Sequence, residues 1–177
     1  MNNVAELLRL IQNLVRLGTI AEIDHDAARV RVKSGDLLTA WVPWLTARAG
    51  NTRDWNPPTV GEQAVVFSPG GDTANAIAMP GIYQNAHPAP SSNPALIGRW
   101  YPDGAVIEYD HINHHLRATL PGSAEITAPG GALLNADTTI NGRLSINGNS
   151  VTHNGINIGD THIHVCPSCR GITTGPS

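Results

Sequence analysis

Aromatic side chains are scarce in this chain of 177 residues, which carries four Trp, three Tyr and a single Phe. A compact core of that length normally draws on more of them, because aromatic rings bury the most area per residue. Charge is also sparse, at 14% of residues, which fits poorly with a disordered linker. Neither sign dominates: the net charge is −3, so the electrostatic footprint expected of a nucleic-acid binder is missing. No apolar run approaches the ~18 residues that a membrane-spanning helix requires. The first residues, MNNVAELLRLIQNLVRLG, show neither a basic leader nor a small-residue cleavage site, so synthesis and assembly in the cytoplasm are expected. The two cysteines, Cys166 and Cys169, lie three positions apart and make no secreted disulfide framework.

Glycine and proline are plentiful instead, at 18 and 13 residues. They point to an ordered, loop-rich, all-β chain whose turns consume the glycines. Val4, Leu7, Leu8, Ile11, Leu14 and Val15 repeat at helical spacing, with Leu10 and Leu17 widening the stripe, which predicts one helix over residues 3–17. Asn3 with Glu6 resembles a capping box, and Gly18 supplies a stop. The apolar face suits packing either on the chain itself or on symmetry copies.

From Gly18 the period changes to two. Strands are expected at Gly18–Asp24, Ala28–Lys33, Leu37–Pro43, Glu62–Ser68 and Ala74–Tyr83, with a long loop from Trp44 to Gly61. Five short strands with one long connection read as a small OB-type barrel, a Greek-key sandwich being the alternative. A Pro/Ser/Asn stretch over 85–98 reads as a linker. Strands follow around Ala105–Tyr109, His115–Leu120 and Ala124–Thr127.

Asn-Gly then recurs at 141–142, 147–148 and 154–155, separated by apolar pairs such as Leu144 with Ile146 and Ile156 with Ile158. Each such segment offers one or two inward side chains, too few to offset the entropy of ordering it alone. The turns are too few for a self-sufficient solenoid. An intertwined homotrimeric β-helix or β-prism, with Ile and Leu meeting on the axis, is therefore expected over 99–160.

Residues 161–177 carry the sharpest chemistry. In an extended strand His162 and His164 project to one side and Ile163 to the other. Three copies around a threefold axis present six imidazoles, an octahedral set that suits a divalent first-row ion such as iron better than tetrahedral zinc. A saturated shell of that kind is structural. Solvent-exposed tail histidines are the plain alternative. Cys166-Pro167-Ser168-Cys169 opens others: a zinc site with cysteine help, an intrachain disulfide, or buried thiols. His87, His111, His114, His115 and His153 fall in turns or linkers, where solvation is the default. Asp72 after Gly70-Gly71 reads as a hairpin turn more economically than as an anion cradle.

Several runs together resemble one family. ARVRVK, WVPWLTARAG, WNPPTVGEQAVVFSPGGD and AMPGIYQN resemble the OB domain of the phage baseplate assembly protein V family. YPDGAVIEYDHINHHL resembles its following strand region, and INGRLSINGN with NGINIGDTHIH its C-terminal β-helix and apical His-x-His. The resemblance implies a homotrimeric, membrane-piercing central spike beneath a baseplate hub and tail tube, aimed at a host outer membrane. It implies one iron ion per trimer on His162 and His164. Type VI secretion spikes and R-type bacteriocin spikes are relatives in the same sense. Cys-Pro-Ser-Cys departs from the family pattern and leaves zinc, with Cys166 and Cys169, as the alternative. No enzymatic role is implied.

The expected organisation is a helix (1–17), an OB domain (18–84), a linker (85–98), a trimeric stem (99–160) and a metal-binding apex with tail (161–177). Two rivals stand beside it. One is an OB binding module for oligonucleotide or glycan, using Arg29, Arg31 and Lys33 with Trp41 and Trp44. The other is a small metalloenzyme using His162, His164 and the cysteines, which has no general base nearby.

Overall fold

A computed structural model describes residues 4–148 and 150–159, together with the backbone of 165–166 and 171–172. The chain divides into two compact units, Met1–Ala124 and Glu125–Ser177.

The first unit opens with α1, Val4–Leu14, and passes directly into β1, Val15–Asp24. The expected helix is thus three residues shorter at its C-terminal end. Val15, Arg16 and Leu17 pair with Phe67, Val66 and Val65 instead, because a sheet ladder with a partner outweighs local helical periodicity. The Ser68 amide donates to the Leu14 carbonyl at 2.9 Å, satisfying one orphan acceptor of the helix end. Gly18 is a strand residue rather than a helix stop. A Cβ there would approach the Lys33 carbonyl to 2.5 Å, so glycine permits the close pairing of β1 with its neighbour. Asn3 lies outside the described residues, and Glu6 is engaged by Arg9 at 2.7 and 2.9 Å.

The remaining barrel strands are β2 (Arg29–Ser34), β3 (Leu37–Leu38), β4 (Val42–Pro43), β5 (Gln63–Phe67) and β6 (Ile77–Ile82). Their order is β3-β2-β1-β5-β6, antiparallel throughout, with β4 also on β2. Trp44 closes the circuit through a parallel bridge to Ala78, and the Leu45 amide donates to the Ala78 carbonyl at 2.8 Å. That parallel closure makes the sheet an OB-type barrel and disposes of the sandwich alternative. The single strand expected over Leu37–Pro43 is interrupted at Thr39. Here the Thr39 hydroxyl accepts from the Val32 amide at 3.0 Å, while the Thr39 amide donates to the Val32 carbonyl at 3.0 Å. A side chain thus substitutes for one rung of the ladder where the strand bends.

The core explains the missing aromatics. Ile20, Val30, Val32, Val42, Ala64, Val66, Ala76 and Ala78 fill it, with Ile23 and Trp44 packed against its edge. A barrel this narrow is filled by small β-branched side chains and has no room for several rings.

A second sheet in the same unit is antiparallel and three-stranded: β7 (Leu96–Trp100), β8 (Val106–Asp110) and β9 (His115–Thr119). β7 begins inside the segment expected to be linker. Leu96 and Ile97 find partners in Asp110 and Tyr109, and Gly98 sits against Glu108 where a side chain would collide. No strand forms at Ala124–Thr127.

In the second unit, residues 125–148 contain no strand and are exposed throughout. β10 (Thr152–His153) and β11 (Ile156–Asn157) form a minimal hairpin. Its turn, Asn154-Gly155, has φ of 49° and 78°, the doubly positive geometry that Asn-Gly favours. β12 (Val165–Cys166) pairs with β13 (Gly171–Ile172). Among the described residues the single chain shows no β-helix or β-prism.

Candidate functional site

The histidines and cysteines proposed as metal ligands set the first question. His162, His164 and Cys169 lie outside the described residues, and of Cys166 only the backbone, paired with Gly171, is described. Among the described residues no group of three or more His, Cys, Asp or Glu side chains converges on a metal-sized space. His111, His114 and His115 are exposed around the β8–β9 turn. That turn is built by Asp110, whose carboxylate accepts from the Ile112 and Asn113 amides at 2.9 Å and from Asn113 Nδ2 at 2.8 Å. Hydrogen bonds from Asn113 hold the Asp110 carboxyl below its usual value of 3.8. Asp72 likewise serves its turn, accepting from the Ala74 amide at 3.0 Å and from Asn75 Nδ2 at 2.6 Å, which is the hairpin reading of that loop.

The basic and aromatic residues of the oligonucleotide-or-glycan reading are brought together in part. Arg29, Arg31 and Lys33 alternate with the buried Val30 and Val32, so they share the outward face of β2. Arg29 donates to the Trp41 carbonyl and Arg31 to the Thr39 carbonyl, both at 3.0 Å. Arg31 also meets Glu22 at 3.0 Å and lies over the Trp41 ring at 5.9 Å. Two of the three cations therefore brace the interrupted β3–β4 segment, through Nη1 of Arg29 and Nε of Arg31. Trp44 leaves this face altogether. It packs on the core and tilts against Trp55 at 5.7 Å. An open cleft of about 970 Å³ includes Trp55, Pro57, Tyr83, Trp100 and Tyr101 in its lining.

The dominant surface feature is apolar. In the second unit Ile126 and Leu133 are 87% and 85% exposed, and Leu134, Ile140, Leu144, Ile146, Ile156 and Ile158 are all more than half exposed. Side chains of this kind are ordinarily buried, and so dense a series along one segment marks a contact surface. The three-stranded sheet adds Ile97, Tyr109 and Leu116, which lie side by side in register on one exposed face.

One surface was not anticipated from the sequence. On the outside of the barrel, Val15, Phe67 and Ile77 stand in one cross-strand row and Leu17, Val65 and Met79 in the next. The signal was present in the strands themselves. Ala64-Val65-Val66-Phe67 and Ile77-Ala78-Met79 are continuous apolar runs, the pattern of a strand covered on both faces, where a half-exposed strand would alternate.

Comparison with known proteins agrees with this architecture. The family described as the type VI secretion system/phage-baseplate injector OB domain matches residues 16–83, which is the barrel. The spike protein of Escherichia phage P2 is 41% identical over 128 residues, covering 72% of this chain. The chain spans 61% of the length of that relative.

Proposed function

The chain belongs to the phage baseplate spike family, and from that premise we propose that it is the homotrimeric central spike of a contractile tail. Its place is the tail baseplate, and its role there is structural. The observation that carries the trimer is the exposure of residues 126–158: a string of Ile and Leu left in water by a backbone whose described pairing is limited to the two-residue strands β10 and β11. Fully burying each such side chain is worth about 1.5–3 kcal/mol, so winding three copies together supplies what one copy lacks. The Asn-Gly turns recur at six- and seven-residue spacing, matching short strands passed around a common axis.

In this reading a baseplate hub and tail tube hold the barrel end, and sheath contraction drives the other end through the host outer membrane. No helix among the described residues is long and apolar enough to cross a membrane. At the apex, His162 and His164 from three chains would hold one iron ion. The donor set fits such a group, since two imidazoles two residues apart on an extended strand share a side. The ion would tie three chain ends against fraying. Cys166 and Cys169 keep zinc as the alternative occupant.

Sedimentation velocity combined with elemental analysis tests both parts. A species of about 56 kDa, three chains of 18.7 kDa, with one iron per three chains is expected. A well-folded monomer with residues 126–158 protected from exchange would overturn the trimer, and a metal-free trimer would overturn the apex alone.

A further inference from the structure

Besides the exposed face of its three-stranded sheet, the first unit carries two apolar surfaces that its own fold does not cover. One is the outer stripe of α1: Val4, Leu7, Leu8, Ile11 and Leu14 are each 41–69% exposed. The helix meets its own barrel through another side. Leu10 and Asn13 are its least exposed positions, and Leu10 lies against Gly71, where any side chain would strike the helix backbone. The seat of α1 on its own chain is therefore fixed, and it points the stripe away. The other surface is the two-by-three grid on β1, β5 and β6. Val15 and Leu17 are 58% and 60% exposed, Phe67 and Ile77 each 39%, and Val65 and Met79 are half-buried.

These are the two halves of a helix-on-sheet layer, one of the few stable ways to bury an apolar stripe. A single chain owns both halves but cannot bring them together, because α1 runs straight into β1 and is held at Gly71. We infer that α1 of one copy packs across the β1–β5–β6 grid of the next, forming a head-to-tail collar around the threefold axis. The inference rests on the trimeric reading above and adds the surface that joins the barrels. A heterologous contact of this kind closes into a ring when the rotation matches the copy number. The charges beside the helix stripe select no charged partner. Arg9 is paired with Glu6 on its own helix, and Arg16 is tied to Asn13 at 2.9 Å and to Ser34 at 3.2 Å. Contiguous apolar surfaces of this kind mark interaction sites, and an apolar surface with neutralised neighbours suits another of the same composition.

The test uses the full chain with the photoreactive residue p-benzoylphenylalanine in place of Phe67. Irradiation should give chain-to-chain products, and the tryptic partner peptides should come from residues 4–16 of another copy. The same residue placed at Lys33, on the basic sector of the barrel, should give none. Ile11→Asp should reduce the Phe67 product at least ten-fold while the sedimenting mass stays trimeric, because the stem still holds the copies. A trimer in which position 67 stays uncrosslinked, or reacts with its own chain or with the stem, overturns the collar and leaves the spike reading intact. A monomeric chain overturns both.

Discussion

Gly71→Ala tests how α1 is seated, and its neighbour supplies the control. Gly70 and Gly71 both adopt positive φ, 64° and 75°, so alanine at either pays the left-handed penalty of about 1–2 kcal/mol. At Gly70 nothing lies within 4 Å of an added Cβ, and the penalty should end there. At Gly71 the new methyl would overlap the Leu10 carbonyl, Cα and carbonyl carbon, all backbone atoms that no rotamer change can move. The clash is relieved only if α1 lifts. Lifting forfeits the Ser68–Leu14 hydrogen bond, worth about 1 kcal/mol, and the partial burial of Leu10, worth about 1 kcal/mol more. An eleven-residue helix without its support is marginal in water, so lifting means melting. Gly71→Ala should therefore destabilise the first unit by about 2 kcal/mol beyond Gly70→Ala, a further loss of roughly 10 °C in its thermal transition. Hydrogen exchange should show residues 4–14 unprotected in Gly71→Ala alone. Equal stability and equal helix protection in the two variants would refute the reasoning.

Thr39→Val should cost about 1–3 kcal/mol in denaturant titration, because the buried Val32 amide loses its acceptor at the strand break. Ile146→Asp together with Leu144→Asp should lower the sedimenting mass from the trimer toward the 18.7 kDa chain while leaving the barrel's circular dichroism in place. His162→Ala with His164→Ala should abolish bound metal in elemental analysis and keep the trimer. For Asp110 the folded carboxyl titrates below its usual value, so its support of the β8–β9 turn is complete above that value and is lost as pH falls through the folded pKa. Exchange of the Ile112 and Asn113 amides should accelerate only in that acidic window, and Asp110→Asn should remove the pH dependence.

How legible these features were depended on how local they are. The barrel strands followed from period-two alternation around Val30, Val32, Ala64 and Val66, and the long Trp44–Gly61 connection marked the OB arrangement. Boundaries failed where a partner strand decided them. Val15–Leu17 continue the helical stripe in sequence, yet they were claimed by β5, and Leu96–Ile97 looked like linker until β8 was beside them. The apolar grid on the barrel was missed because a run such as Ala64–Phe67 says that both faces are covered without saying by what.

The amino-acid order alone determined the class of the molecule: a small-residue barrel, an Asn-Gly-punctuated segment whose Ile and Leu its short strands do not bury, and a His-x-His pair at 162 and 164. Those properties follow from spacing and side-chain size, which need no neighbour to be read. Only the tertiary structure decided that Trp44 closes the barrel, that Arg29 and Arg31 brace a strand break, and that α1 turns its stripe outward from a seat at Gly71. Each of these joins residues distant in sequence, or depends on which side of an element is already taken, and packing in three dimensions settles that.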